Sequence, residues 1–154
     1  MEIQSLLNLD WIAVHQKCES KKKLLESIGE FVSQKTGIKP KSLFEVLIER
    51  ERLGSTGLRK GIALPHGKHP EVEGILAGLF ILEKPIDYDA VDDQPVDIVF
   101  FLIAGEEQSD DHLKAISCIS TLARDSARMR AIREIDTPGK VMKALQSEGG
   151  AVNS

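Results

Sequence analysis

The chain has 154 residues, a length that suits one domain with one sizeable core. Charged residues make up 29% and hydrophobic residues 42%, with a formal net charge of −4 and scattered basic residues. That balance argues against disorder and leaves no wide positive surface for a nucleic-acid backbone. The longest apolar runs, Ile75 to Leu82 and Ile98 to Ala104, fall well short of a bilayer span. Met1-Glu2 lacks a secretory signal's basic and apolar regions. The expectation is a soluble, cytoplasmic protein with no membrane insertion, whose two cysteines, Cys18 and Cys118, are free, buried thiols.

In chain order, Trp11 to Val14 reads as a first strand, being short and rich in strand formers. From Ser20, the residues Leu24, Leu25, Ile28, Phe31 and Val32 recur at helical spacing up to Gly37. A second helix is expected from Pro40, with Leu43, Val46 and Leu47 as its buried stripe before Gly54. The stretch Gly54 to Gly61, GSTGLRKG, has three glycines and two hydroxyl residues and predicts an unusually shaped loop. A short strand at Ile62 to Leu64, stopped by Pro65, follows. The runs Gly74 to Leu82 and Val96 to Ala104 are nearly continuous in apolar residues, as central strands covered on both faces are. Ser109 with Asp110 and Asp111 predicts a capped helix start, continuing through Leu113, Ile116, Ile119 and Leu122. Helices over 127–135 and 138–146 complete the set. The fold class is α/β: a single-domain mixed β-sheet flanked by helices, over residues 1–147, with 148–154 as a flexible tail.

Chemistry is sought first at the four histidines, because imidazole can act as a neutral nucleophile or proton donor near neutral pH. His66 follows a short strand and lies between Pro65 and Gly67, so its ring would emerge from a rigid element while the glycine leaves room for an incoming group. A turn histidine without a role is the plain alternative. His112 falls in the first turn of its helix, near free backbone amides that suit phosphate oxygens. It could equally be a partly buried histidine with one hydrogen bond. Arg50, near the end of the second helix, could offer an anion a planar pair of donors or simply join a surface salt bridge. His66 and His69 read H-x-x-H, but no third and fourth ligand stands at metal spacing, so no metal and no cofactor are expected. The glycine loop matches neither the Walker pattern nor the dinucleotide fingerprint, and there is no nucleophile elbow.

The segment Arg50 to Lys68, RERLGSTGLRKGIALPHGK, resembles the active-site signature of the mannitol and fructose class of enzyme IIA, most closely its nitrogen-related branch. The likeness continues through EKPIDYDAVDDQPVDIVFFL (Glu83 to Leu102) and DHLKAIS (Asp111 to Ser117). The resemblance implies that His66 accepts a phosphoryl group on Nε2 from a histidine-containing phosphocarrier protein. It implies that His112 supports the group without carrying it and that Arg50 lies beside the site. Ser55 and Thr56 match the hydroxyl residues of the family's loop, and Pro65 and Gly67 flank the acceptor. Where the nitrogen-related branch often has Gly-Asn, this chain has Arg59-Lys60.

Phosphoryl transfer between imidazoles spreads negative charge over equatorial oxygens and needs fixed donors more than a strong base or a metal. Arg50, His112 and the amides at Ser109 could supply them, in a shallow depression rimmed by residues such as Leu58 and Leu64. Three functions follow: a regulator whose two phosphorylation states bind targets such as transporters or sensor kinases differently, which is the favoured reading; a component passing phosphate to a sugar permease; or a binding module without phosphorylation. A chain without permease domains fits the first, and the joint presence of His66, His112 and Arg50 speaks against the last.

Overall fold

The computed structural model describes residues 1–146. The tail proposed for 148–154 lies outside them. A short helix α1 (Ile3–Leu6) and a 3-10 turn (Leu9–Trp11) lead into β1 (Ile12–Gln16). The helical pair α2 (Lys21–Thr36) and α3 (Pro40–Arg52) follows, then β2 (Ile62–Ala63), β3 (His66–Lys68), β4 (Ile75–Ile86) and β5 (Val96–Ala104). Three helices close the described chain: α4 (Ser109–Ala123), α5 (Ser126–Arg133) and α6 (Pro138–Gln146).

The α2 boundaries follow from local chemistry. The Ser20 hydroxyl accepts Lys23 N–H at its start, and Gly37 at φ +81° ends it in a left-handed cap that a side chain would strain. Pro40 opens α3, where its missing N–H costs nothing. At α4 the expected hydroxyl cap is absent: Gln108 is the capping position, and Ser109 is the first helical residue, with its Oγ accepting Lys68 Nζ at 2.7 Å. The short α1 was not legible, because four residues carry too little periodicity.

The sheet order is β1-β4-β5-β2, with β3 also on β5. The β4–β5 pair is antiparallel and the others are parallel, so the sheet is mixed. β4 and β5 are central, as their apolar runs require. Strand alternation divides their side chains between two layers. Leu79, Ile81, Ile98, Phe100 and Leu102 pack with Ile119, Met129, Ile132, Val141 and Leu145 from α4, α5 and α6. Phe80, Val99, Phe101 and Ile103 pack with Leu24, Leu25, Ile28, Leu43 and Leu47 from α2 and α3. Cys18 and Cys118 are free but half-buried, at the margins of these layers, where the sequence suggested full burial. No helix among the described residues is long and apolar enough to cross a membrane.

Candidate active site

Pro65 breaks the edge of the sheet because it has no N–H to give to the ladder. His66 is therefore the first residue of a new strand, β3, and not the end of the one before it. In register with β5, His66 pairs with Leu102, Gly67 with Ile103 and Lys68 with Ala104. Residues two apart on a strand share a face. His66 and Lys68 accordingly face the α4 side with Leu102, while Gly67 faces α3. The room left by Gly67 is taken by Val46, whose Cγ1 would collide with any Cβ at that position. The glycine thus permits close packing of α3 on β3; it does not open space for an incoming group as the sequence reading had it.

His66 and His112 meet with ring centroids 5.6 Å apart and planes at 53°. They open on a wide depression also lined by Glu49, Arg50 and Lys68, with an apolar margin of Val46, Leu53, Leu113 and Ile116. Leu53 and Leu113 are 85% and 65% exposed, so this margin is an unpartnered apolar rim. The expected rim residues are elsewhere: Leu64 is buried in the core, and Leu58 lines a different cavity. The physical reason is the Pro65 break, which leaves Leu64 pointing into the sheet layer.

The two rings differ in how they are held. His66 Nδ1 lies 2.7 Å from the Leu64 carbonyl, which can only accept, so Nδ1 carries the proton and Nε2 carries a lone pair. Burial lowers the His66 pKa, the Leu64 carbonyl opposes that shift, and the Arg50 guanidinium adds to it. At neutral pH the ring is uncharged. His112 is buried, and its Nδ1 has no hydrogen-bond partner. Burial, then the neighbouring His66 and Lys68, push its pKa down to about 4. Arg50 is fixed by donating from its Nη1 to the Gly54 carbonyl at 2.9 Å.

Ser55 and Thr56 do not line the depression. The Ser55 hydroxyl accepts Gly57 N–H at 3.0 Å and shapes the loop. Thr56 is buried and belongs to a polar cluster that sequence reasoning did not find. Its centre is Glu51, which is 7% exposed. Glu51 accepts from Lys21 Nζ at 2.6 Å, Thr56 N at 3.1 Å, Tyr88 Oη at 3.0 Å and the Thr56 hydroxyl. Burial and that carboxylate raise the Tyr88 pKa far above the phenol range. The cluster reaches His66 through the backbone: Leu64 N–H donates to the Thr56 carbonyl at 3.0 Å, and the Leu64 carbonyl receives His66 Nδ1–H. Glu51 could have been flagged, because it continues the stripe of Leu43 and Leu47 at helical spacing, and a carboxylate at a core position needs partners. Lys68 was readable as the same-face neighbour of His66. Tyr88 and Lys21 come from distant segments and left no local sign.

His69, by contrast, is buried with both ring nitrogens engaged: Nε2 is 3.0 Å from Ser42 Oγ, and Nδ1 accepts Glu71 N–H at 3.0 Å. The H-x-x-H pair is therefore not a shared ligand set. Among the described residues no three His, Cys, Asp or Glu side chains converge in a way that could hold a metal ion.

Comparison with known proteins gives the chain its family. The family model for the phosphoenolpyruvate-dependent sugar phosphotransferase system, EIIA 2, matches residues 5–148. A nitrogen regulatory protein of Bradyrhizobium diazoefficiens is 42% identical over 138 residues, covering 87% of this chain and 90% of the relative. One from Escherichia coli is 34% identical over 151 residues, covering 97% and 93%. The crystal structure of nitrogen regulatory protein IIA-Ntr from Neisseria meningitidis superposes with a TM-score of 0.87 at 29% identity, covering 93% of this chain and 98% of that one. The match along nearly the whole chain, with the same overall fold, places the protein in the EIIA 2 family of the phosphotransferase system, among relatives that are nitrogen regulatory proteins.

Proposed function

We propose that this phosphotransferase-system component is a phosphohistidine relay protein. His66 Nε2 accepts a phosphoryl group from a histidine-containing phosphocarrier protein, and the two resulting states engage regulatory targets, such as transporters or sensor kinases, differently. Residues 1–147 form the relay unit. The observation that carries this reading is the asymmetry of the histidine pair: His66 is tied inward through Nδ1, leaving Nε2 free, beside a ring with no partner of its own.

The reaction needs no prior deprotonation. The His66 Nε2 lone pair attacks phosphorus in line, the N–P bond to the donor imidazole breaks, and that ring keeps the bonding electrons. The Leu64 carbonyl holds His66 Nδ1–H and stabilises the cationic character that develops on the ring as Nε2 is phosphorylated. A buried lone pair without a donor costs less than a buried N–H without an acceptor, which puts the His112 proton on Nε2. From there it donates to a phosphoryl oxygen, together with Arg50 and Lys68, which share the depression. The apolar rim of Leu53, Leu113 and Ile116 suits a protein donor that must exclude water during transfer. In the regulatory step, a charge of about −1.5 to −2 added at this rim is enough to reverse an interface preference. The identity of the relatives supports regulation over delivery to a sugar permease.

The test is intact-mass analysis after incubation with phosphoenolpyruvate, the first relay enzyme and the carrier. One acid-labile phosphoryl adduct mapping to His66 is expected, and none in His66→Ala. Equal labelling of both proteins would overturn the assignment. For the regulatory half, pull-downs with phosphorylated and unphosphorylated protein should recover different partners, and identical sets would count against it.

A further inference from the structure

The loop over 54–61 begins beside Arg50 at the histidine depression and ends at the opposite end of α4. There Arg59 and Lys60 stand with Arg124, the residue just after α4, around a second cavity of ≈380 Å³. Its apolar lining is Leu58, Val91 and Ala123, and Val91 is 65% exposed. Lys60 is shared with a neighbouring hollow that adds Arg130. Ala123 is eleven positions along α4 from His112, or ~16 Å along the axis, so this is not part of the phosphoryl site.

We propose that this cavity is a docking site for an acidic peptide segment of a partner protein, anchored by one apolar side chain over Leu58, Val91 and Ala123 and flanked by carboxylates that meet Arg59, Lys60 and Arg124. Charge complementarity selects this occupant. Arg59, Arg124 and Arg130 are exposed, and none forms an ion pair among the described residues. Asp92 accepts the backbone N–H groups of Lys60 and Gln94 at 2.9 and 3.1 Å and feels the Arg59 charge, and Asp125 is held on Arg128. Arg133 is already neutralised by Asp97 at 2.8 Å. Arg59, Lys60, Arg124 and Arg130, none of them in an ion pair among the described residues, make a locally positive surface on a chain of net charge −4, and an acidic partner relieves their mutual repulsion.

Two further observations fit. Lys60 holds a left-handed backbone at φ +63°, where glycine would be unstrained, so a cation is kept at a conformational cost. Its Nζ is steered by donation to Ser126 Oγ at 3.0 Å. The apolar floor is large enough for one side chain and is ringed by charge, which is the anatomy of a small interface with an apolar anchor and a polar rim. Because the surface is remote from His66, it holds a partner in either phosphorylation state, while the histidine face reports which state is present. The proposal takes from the regulatory reading only that protein targets exist, and the labelling experiment and the one below fail separately.

The experiment is an NMR titration of the isotope-labelled full chain with a set of synthetic peptides, each with one Leu, Ile or Phe between pairs of Glu or Asp. Saturable shifts confined to 57–60, Val91 and 120–124 are expected for some members. Binding should weaken about tenfold or more in Arg59→Glu/Arg124→Glu and by less in the neutral Arg59→Gln/Arg124→Gln. It should persist in His66→Ala, and the reversal variant should still accept phosphate at His66, which shows that it folds. The proposal is overturned if no peptide saturates below about 1 mM, if the shifts map elsewhere, or if charge reversal leaves them unchanged. It is equally overturned if inorganic pyrophosphate alone reproduces them, or if they appear on raising the protein concentration without peptide.

Discussion

Two polar clusters lie within one stretch of chain, and they are built on opposite terms. Around Glu51 every group is satisfied: one buried carboxylate on α3 collects donors from α2, the glycine loop and the segment after β4. Around His66 the chain leaves groups open, with a free Nε2 on one ring and an unpartnered Nδ1 on the next. The first cluster is complete without a ligand and serves as scaffold. The second is completed only by something from outside, and this incompleteness, more than residue type, separates His66 and His112 from the fully bonded His69.

The comparison breaks most visibly at Glu51. Replacing it with alanine strands Lys21, Thr56 and Tyr88, and a loss of about 3–5 kcal/mol is expected in urea unfolding. A loss under about 1 kcal/mol would mean that the cluster is not scaffold. At the other cluster the expected pattern reverses. His112→Leu should slow phosphoryl transfer by about 10²–10³-fold yet leave stability unchanged or higher, since it removes an unsatisfied buried nitrogen. A marked fall in stability with normal transfer would show the ring to be structural.

A smaller effect tests the seam between the clusters. Gly67→Ala forces its methyl into Val46 and should cost about 1–3 kcal/mol, with partial recovery in the double variant Gly67→Ala/Val46→Ala. No recovery would place the clash elsewhere. The gentlest probe is pH. His112 is pushed down to about 4 in the folded protein, against about 6.5 unfolded. Between those values the unfolded chain binds the extra proton, so stability falls as pH drops through that window, by at most ~1.4 kcal/mol per pH unit from this group. Unfolding curves across the window should show that slope in wild type and a shallower one in His112→Leu. Equal slopes would remove His112 as its source.

Much of this was legible beforehand, for local reasons. Helical spacing from Leu24 to Val32, the Pro40 start and the double-faced runs of β4 and β5 are patterns set by neighbours in sequence, and they appear nearly where expected. Besides α1 and the partners of Glu51, four expectations failed: the cap of α4, the apolar rim, the use of Gly67 and the burial of the cysteines. Each depends on which distant segment lies opposite. Ser109 lies inside the first turn with its hydroxyl turned to Lys68, and Leu64 is buried where Pro65 ends the strand.

The layers, and the histidines worth watching, follow from residues near one another in the chain, because periodicity, proline and glycine act over a few residues. Which imidazole nitrogens stay free, that Lys21 neutralises Glu51, and that Arg59 and Lys60 converge on Arg124 at the far end of α4 were settled by folding alone. Those are facts about contact across long stretches of chain. Hydrogen-bond satisfaction and charge pairing act over a few ångströms in space, and the chain must fold before such distances exist.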